Sequence, residues 1–111
     1  MRPRLAASIW VAAYLARLRL AGIPAYLRAR GEAEAGAVLV VVATLDGRAR
    51  AFQRRSDPMT GARVWDALAE GSEAEVEATV ARQRAIDPDL WVIEIEDRDG
   101  RSLLDEPGLS D

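Results

Sequence analysis

Arginines at alternate positions are the first feature of this chain that could do chemistry. Arg48, Arg50 and Arg54 fall on one side of one extended segment, and Arg28 and Arg30 share a side of an earlier one. A guanidinium presents a planar fork of donors that matches phosphate, and Phe52 and Tyr26 lie on the matching faces, where a base could stack. These five arginines are therefore a candidate anion-binding or RNA-binding face. The competing reading is a solvated sheet surface whose arginine stems cover Leu39 and Val41 while their heads pair with carboxylates. A second concentration of charge comprises Glu94, Glu96, Asp97, Asp99, Asp105 and Glu106. Oxygen donors at that density suit calcium or magnesium, but Asp97-Arg98-Asp99-Gly100 lacks the third acid before the glycine and the distal glutamate of a calcium loop. A solvated hairpin tip accounts for it, and no metal site is assigned. Glu94 and Glu96 share one face of a strand, yet no apolar pocket is foreseeable there to drive their pKa values apart, as paired acid and base catalysis requires.

The residue types that are absent exclude more. The chain has no Cys and no His, and a reading of its letters finds no Lys and no Asn. Thiolate nucleophiles, the Ser–His relay, imidazole or thiolate metal sites, Schiff-base chemistry and the lysine of a phosphate-binding loop are all excluded. No catalytic residue and no cofactor is assigned. All fifteen cations are arginine, against eighteen carboxylates, for a net charge of −3. Such a molecule has no overall field to draw it to nucleic acid or to a membrane.

The elements that must carry these residues fit one domain over 1–111, since a chain of this length buries a single modest core. Arg2 and Arg4 followed by the apolar run Leu5–Ala16 mimic a secretory signal. However, Arg17 and Arg19 follow at once, no small-x-small site lies beyond, and twelve residues are too few to span a bilayer. The run reads instead as a helix over about 5–21, ended by Gly22 with Pro24 beyond, and cytoplasmic residence is the expectation. A β-rich stretch over about 25–69 follows. Ala25–Arg30 is a short strand, Gly31–Gly36 a polar turn, and Ala37–Leu45 and Arg48–Arg55 are strands joined at Asp46-Gly47, which would set Val41 opposite Phe52 and Ala43 opposite Arg50. Asp57-Pro58 and Gly61 mark a turn, and Arg63–Glu70 reads as a further strand rather than a helical turn.

Ser72 and Glu75 form a capping box opening a helix over about 72–86, with Val76, Val80, Gln83 and Ile86 facing inward and Asp87-Pro88-Asp89 stopping it. Leu90–Glu96 is a strand with Trp91, Ile93 and Ile95 on one face. Asp99-Gly100 turns the chain towards Leu103 and Leu104, so that 90–104 is a strand or hairpin and 105–111 a frayed tail. Trp65 and Trp91 read as core, and Trp10 with Tyr14 as either core or a surface ridge. The expected fold class is α+β, a mostly antiparallel sheet of about five strands backed by two helices.

Ile9-Trp10-Val11 with Ala21-Gly22-Ile23-Pro24-Ala25, then Ala35-Gly36-Ala37-Val38-Leu39-Val40, then Ala81-Arg82-Gln83-Arg84 running through Asp87-Pro88-Asp89-Leu90-Trp91-Val92-Ile93-Glu94-Ile95-Glu96-Asp97-Arg98 resemble the bacterial domain-of-unknown-function family 1491 (DUF1491). The resemblance covers nearly the whole chain. It implies a one-domain bacterial protein and carries no catalytic residue, cofactor or activity onto these positions.

The function expected is contact with another protein without catalysis, through a homodimer or an unidentified partner protein. Anion or RNA binding on the arginine face is the alternative, and a carboxylate enzyme is the remote one. On the first helix, Leu5, Ile9, Ala13, Ala16 and Leu20 form a stripe suited to the sheet, while Val11, Leu15 and Leu18 form a second stripe, the candidate two-fold interface. Coverage of that second stripe by Leu103, Leu104 and Leu109 is the rival expectation.

Overall fold

A computed structural model describes residues 5–56, 59–61, 63–107 and 109 of the chain. Helix α1 (Ala7–Leu20) leads into β1 (Ala25–Ala29), β2 (Val38–Ala43), β3 (Arg48–Ser56), β4 (Arg63–Ser72), α2 (Glu73–Ile86) and β5 (Trp91–Glu96). The strands make one sheet in the order β1-β5-β2-β3-β4, antiparallel except for the central β2–β5 pair. That parallel pair arises because α2 carries the chain back across the sheet before β5 is laid down, as a crossover must. The expected α+β class is observed, with one helix on each face. Asp57, Pro58, Arg2 and Arg4 lie outside the described residues, and so does the turn expected at Asp57-Pro58.

Alternation along the central strands divides the core in two. Val38, Val40, Val42, Trp91, Ile93 and Ile95 pack on the α1 side with Trp10, Tyr14 and Leu18, while Leu39, Val41 and Val92 pack on the α2 side with Val76 and Val80. All six residues of β2 are buried, as expected of a central strand covered on both faces.

Helix α1 ends in a Schellman motif. Gly22 adopts φ +73°, its N–H donates to the Arg19 carbonyl, and the Ile23 N–H donates to the Leu18 carbonyl at 2.9 Å. Its start has no side-chain cap; the Ala7 and Ser8 N–H groups donate instead to the carbonyls of Glu34 and Ala33 in the 31–36 loop. Helix α2 starts at the expected box. Ser72 Oγ accepts from the Glu75 N–H at 3.1 Å and donates to Glu75 Oε1 at 3.0 Å. Ser72→Ala is expected to lower stability by about 1 kcal/mol, and a urea midpoint equal to the wild type's would show that the cap carries no weight.

Five expectations are corrected. The β2–β3 hairpin pairs Val40 with Phe52 and Val42 with Arg50, one residue from the expected register. Asp46-Gly47 is not a two-residue turn; Leu45 and Gly47 both take positive φ, and Asp46 Oδ1 accepts from the Thr44 hydroxyl and the Arg48 N–H, closing a three-residue connection. Ile86 is 78% exposed because the helix overruns the sheet at its last turn, although Val76 and Val80 are buried as expected. Of the strand or hairpin expected over 90–104 the strand is observed, as β5, with residues 97–104 outside it, while the 105–111 tail is not frayed throughout, since Leu109 is buried in the α1-side core.

The fifth correction concerns α1, whose two stripes are exchanged. Val11 and Leu18 are buried, and half-buried Leu15 packs beside them. Leu5, Ile9 and Leu20 are exposed at 56%, 56% and 88%. Trp10 and Tyr14 decide the orientation, because they carry the most area to remove from water and lie on the Val11–Leu18 side. The rival expectation holds: Leu104 and Leu109 close over that stripe, with Leu103 packed against it.

Candidate functional site

The five candidate arginines do not converge. β1 and β3 are separated by β5 and β2, so Arg28 and Arg30 lie far across the sheet from Arg48, Arg50 and Arg54. A bulge between Leu27 and Ala29 further splits the first pair. Arg28 turns to the α2 side and bonds Glu77 at 2.6 Å and Glu94 at 3.1 Å, whereas Arg30 lies over the Trp91 ring, 5.7 Å from its centroid. The Tyr26 hydroxyl also donates to Glu94, which with burial pushes its pKa up to about 12; the Arg28 guanidinium holds Glu77 below the usual carboxylate range. Tyr26, Arg28 and Glu94 are thus committed to one another. The acidic cluster is dispersed as well. Asp97 is buried and takes the Arg101 guanidinium at 2.8 Å and the Arg101 N–H at 2.7 Å, interactions that hold its pKa down. Among the described residues no three acidic side chains are placed to hold a metal ion.

On β3, Arg48, Arg50, Phe52 and Arg54 share the α1 side, opposite to the face of Leu39 and Val41 that their stems were expected to cover. Arg54 stacks on Trp10 at 4.9 Å and Trp65 at 5.7 Å, a cation–π contact that makes it part of the core. Arg50 meets Glu70 across the β3–β4 ladder, its Nε donating at 3.2 Å.

The structure adds a feature with no local sequence signal. Beyond the cover of α1, Phe52 on β3 and Trp65 on β4 face the C-terminal segment 99–105 across a groove of about 700 Å³ that Val64 also lines, with Arg50 and Arg101 on its rim. A smaller bowl of about 280 Å³ adjoins it and adds Arg48 and Arg98. The segment is strapped down by the Tyr14 hydroxyl, which donates to the Ser102 carbonyl at 2.7 Å, and Leu103 takes a left-handed backbone, φ +61°. Three parts distant in sequence build this wall, so no window of the chain announces it.

The second surface is the outer side of α1. Leu5, Ile9, Ala13, Ala16 and Leu20 project away from the core there, with Ala12 beside them, and all are exposed. No acidic residue lies in the first turn, and Arg17 at the flank is held by the Pro107 carbonyl and Glu106. Among the described residues no helix is long and apolar enough to cross a membrane.

No curated protein matches the chain. Two solved structures of a DUF1491 family protein from Caulobacter crescentus CB15 are similar over nearly everything. The crystal structure is 43% identical, covers 94% of this chain and 98% of its own, and superposes with a TM-score of 0.84; the NMR structure is 42% identical, covers 96% and 97%, and scores 0.81. The solution structure of protein Atu0922 from A. tumefaciens is 29% identical over 85% of this chain and 86% of its own, with a TM-score of 0.72. The family described as protein of unknown function (DUF1491) matches residues 5–105, so the chain belongs to that family.

Proposed function

We propose that this protein works without catalysis, in the cytoplasm, as a two-fold homodimer that meets through the outer side of α1. The observation that carries this reading is that a single surface helix is apolar on two opposite sides. A helix of that kind is ordinarily buried all round, and the core takes only the Trp10–Leu18 side.

A second copy is the occupant that fits the spacing. Antiparallel packing about a two-fold axis between Ala12 and Ala13 sets Leu5 against Leu20 of the partner copy and Ile9 against Ala16 of the partner copy. Leucines then meet at the two ends, Ile9 meets a small side chain, and alanines at the centre permit close approach. The arrangement also lays the N-terminus of each helix, which has no acidic residue of its own, beside the C-terminus of the other, the favourable alignment of dipoles. A stripe of this length offers about half of the ~800 Å² per partner of a standard interface, so the dimer belongs to the weak, concentration-dependent class.

Light scattering should find a particle of twice the 12.1 kDa chain mass at about 100 µM protein and partial dissociation at about 1 µM. Ile9→Arg with Leu20→Arg changes two exposed positions and should give a folded monomer at every concentration, because each introduced charge would be buried unpaired. A 12.1 kDa wild-type particle at the higher concentration overturns the proposal, as does a variant that remains dimeric.

A further inference from the structure

We propose that the groove between the β3–β4 face and the C-terminal segment binds a nucleoside monophosphate, with its base on the aromatic floor and its phosphate at the arginine end. The volume of about 700 Å³ falls within the range of small-ligand sites. Its floor supplies Phe52 and Trp65, both half-buried aromatic rings lining the groove, the residue types on which a planar base stacks.

The adjoining bowl supplies the anion contacts. Arg48 and Arg98 are exposed on it, and apart from the attraction of Arg48 for the Asp46 carboxylate neither is held by an ion pair among the described residues. Arg50 joins the two hollows, lining both, and its one hydrogen bond to Glu70 is from Nε. Two or three guanidinium forks around one hollow suit a terminal phosphate better than a carboxylate.

The carboxylates on the rim narrow the ligand class. Asp46 and Glu70 are engaged within the fold, but Asp99 and Asp105 also line the groove and leave it close to electroneutral. A neutral groove gives little attraction to a long polyanion. It suits a small ligand that brings hydroxyl or amino donors for the aspartates together with one phosphate for the arginines. The wall itself is held in an unfavourable conformation, since Leu103 has no glycine-like freedom at φ +61°, and such local strain concentrates at ligand-contacting segments.

The experiment titrates AMP into the wild-type protein while the indole N–H resonances of the three tryptophans are followed by NMR. The Trp65 resonance should move and saturate with a Kd below about 1 mM, whereas that of Trp91, enclosed on the far side of α1, stays put. Adenosine should bind at least about tenfold more weakly, and Arg48→Ala with Arg98→Ala should weaken AMP by about tenfold or more while leaving the Trp10 and Trp91 resonances in place. A Trp65 resonance unmoved at about 5 mM AMP overturns the proposal. So do equal affinities for adenosine and AMP, an unaffected double variant, or binding of a single-stranded oligoribonucleotide by a protein that ignores AMP.

Discussion

Trp10→Ala is expected to destabilise the protein by about 3–5 kcal/mol, a large share of the ~5–15 kcal/mol that holds a small domain together. Trp10 is 2% exposed, stacks on Tyr14 at 4.8 Å, lies 5.5 Å from Trp65 and carries the Arg54 guanidinium on its face. Truncation would open a cavity where α1, β3 and β4 meet and strip Arg54 of one of its two ring partners. Trp10→Phe isolates the packing contribution. The indole Nε1 is buried without a hydrogen-bond partner among the described residues, so losing it removes an unfavourable group, and the variant should fall within about 1.5 kcal/mol of wild type. Chemical denaturation of the two variants decides the matter. If alanine cost under about 1 kcal/mol, Trp10 would not be the centre of the α1-side core. Ile9→Ala, one residue earlier but on the outer side, should change the stability of the monomer by less than about 0.5 kcal/mol.

Gly31→Ala and Gly36→Ala should each cost about 3 kcal/mol or more, the upper end of what overpacking a core exacts. A Cβ on Gly31 would meet the Asp89 carbonyl oxygen and, at 2.5 Å, Trp91 Cδ1. On Gly36 it would lie 2.6 Å from the Glu32 carbonyl oxygen and 2.8 Å from Trp91 Nε1. None of these atoms can retreat. The Trp91 indole donates to the Glu32 carbonyl at 2.7 Å, the Glu32 N–H donates to the Asp89 carbonyl, and the Glu32 carboxylate accepts from the Glu34 and Ala35 N–H groups, which hold its pKa below the ordinary value. The same loop supplies the carbonyls that cap α1, so displacing it frays the helix as well. Gly61→Ala is the control: its φ is +74° but an added Cβ would meet nothing within 4 Å, and about 1 kcal/mol of backbone strain is all that is expected. Thermal or urea unfolding of the three variants should separate them clearly. A Gly36→Ala protein as stable as Gly61→Ala would mean that the loop does not pack on Trp91 as described.

Local chemistry wrote the elements of this fold into the chain. Gly22 before Ile23-Pro24 ends α1, Ser72 with Glu75 starts α2, and the alternation of Trp91, Ile93 and Ile95 with Val92 and Glu94 marks a strand, because each signal is complete within a few residues. The missing His, Cys and Lys likewise exclude whole classes of chemistry whatever the fold. Tertiary structure decided everything that depends on which surfaces meet. α1 is apolar on both sides, so its pattern could not choose the inner one; the choice fell to the area of Trp10 and Tyr14 against the sheet. The hairpin register turned on a three-residue connection with left-handed backbone at both Leu45 and Gly47, which an Asp-Gly pair does not foretell. Strand order dispersed the arginines, since a period of two gives the face a residue takes but not which strand lies beside it. The groove exists only because residues 99–105 return to face β3 and β4 from many positions away in the chain, a contact made by packing and by no local rule.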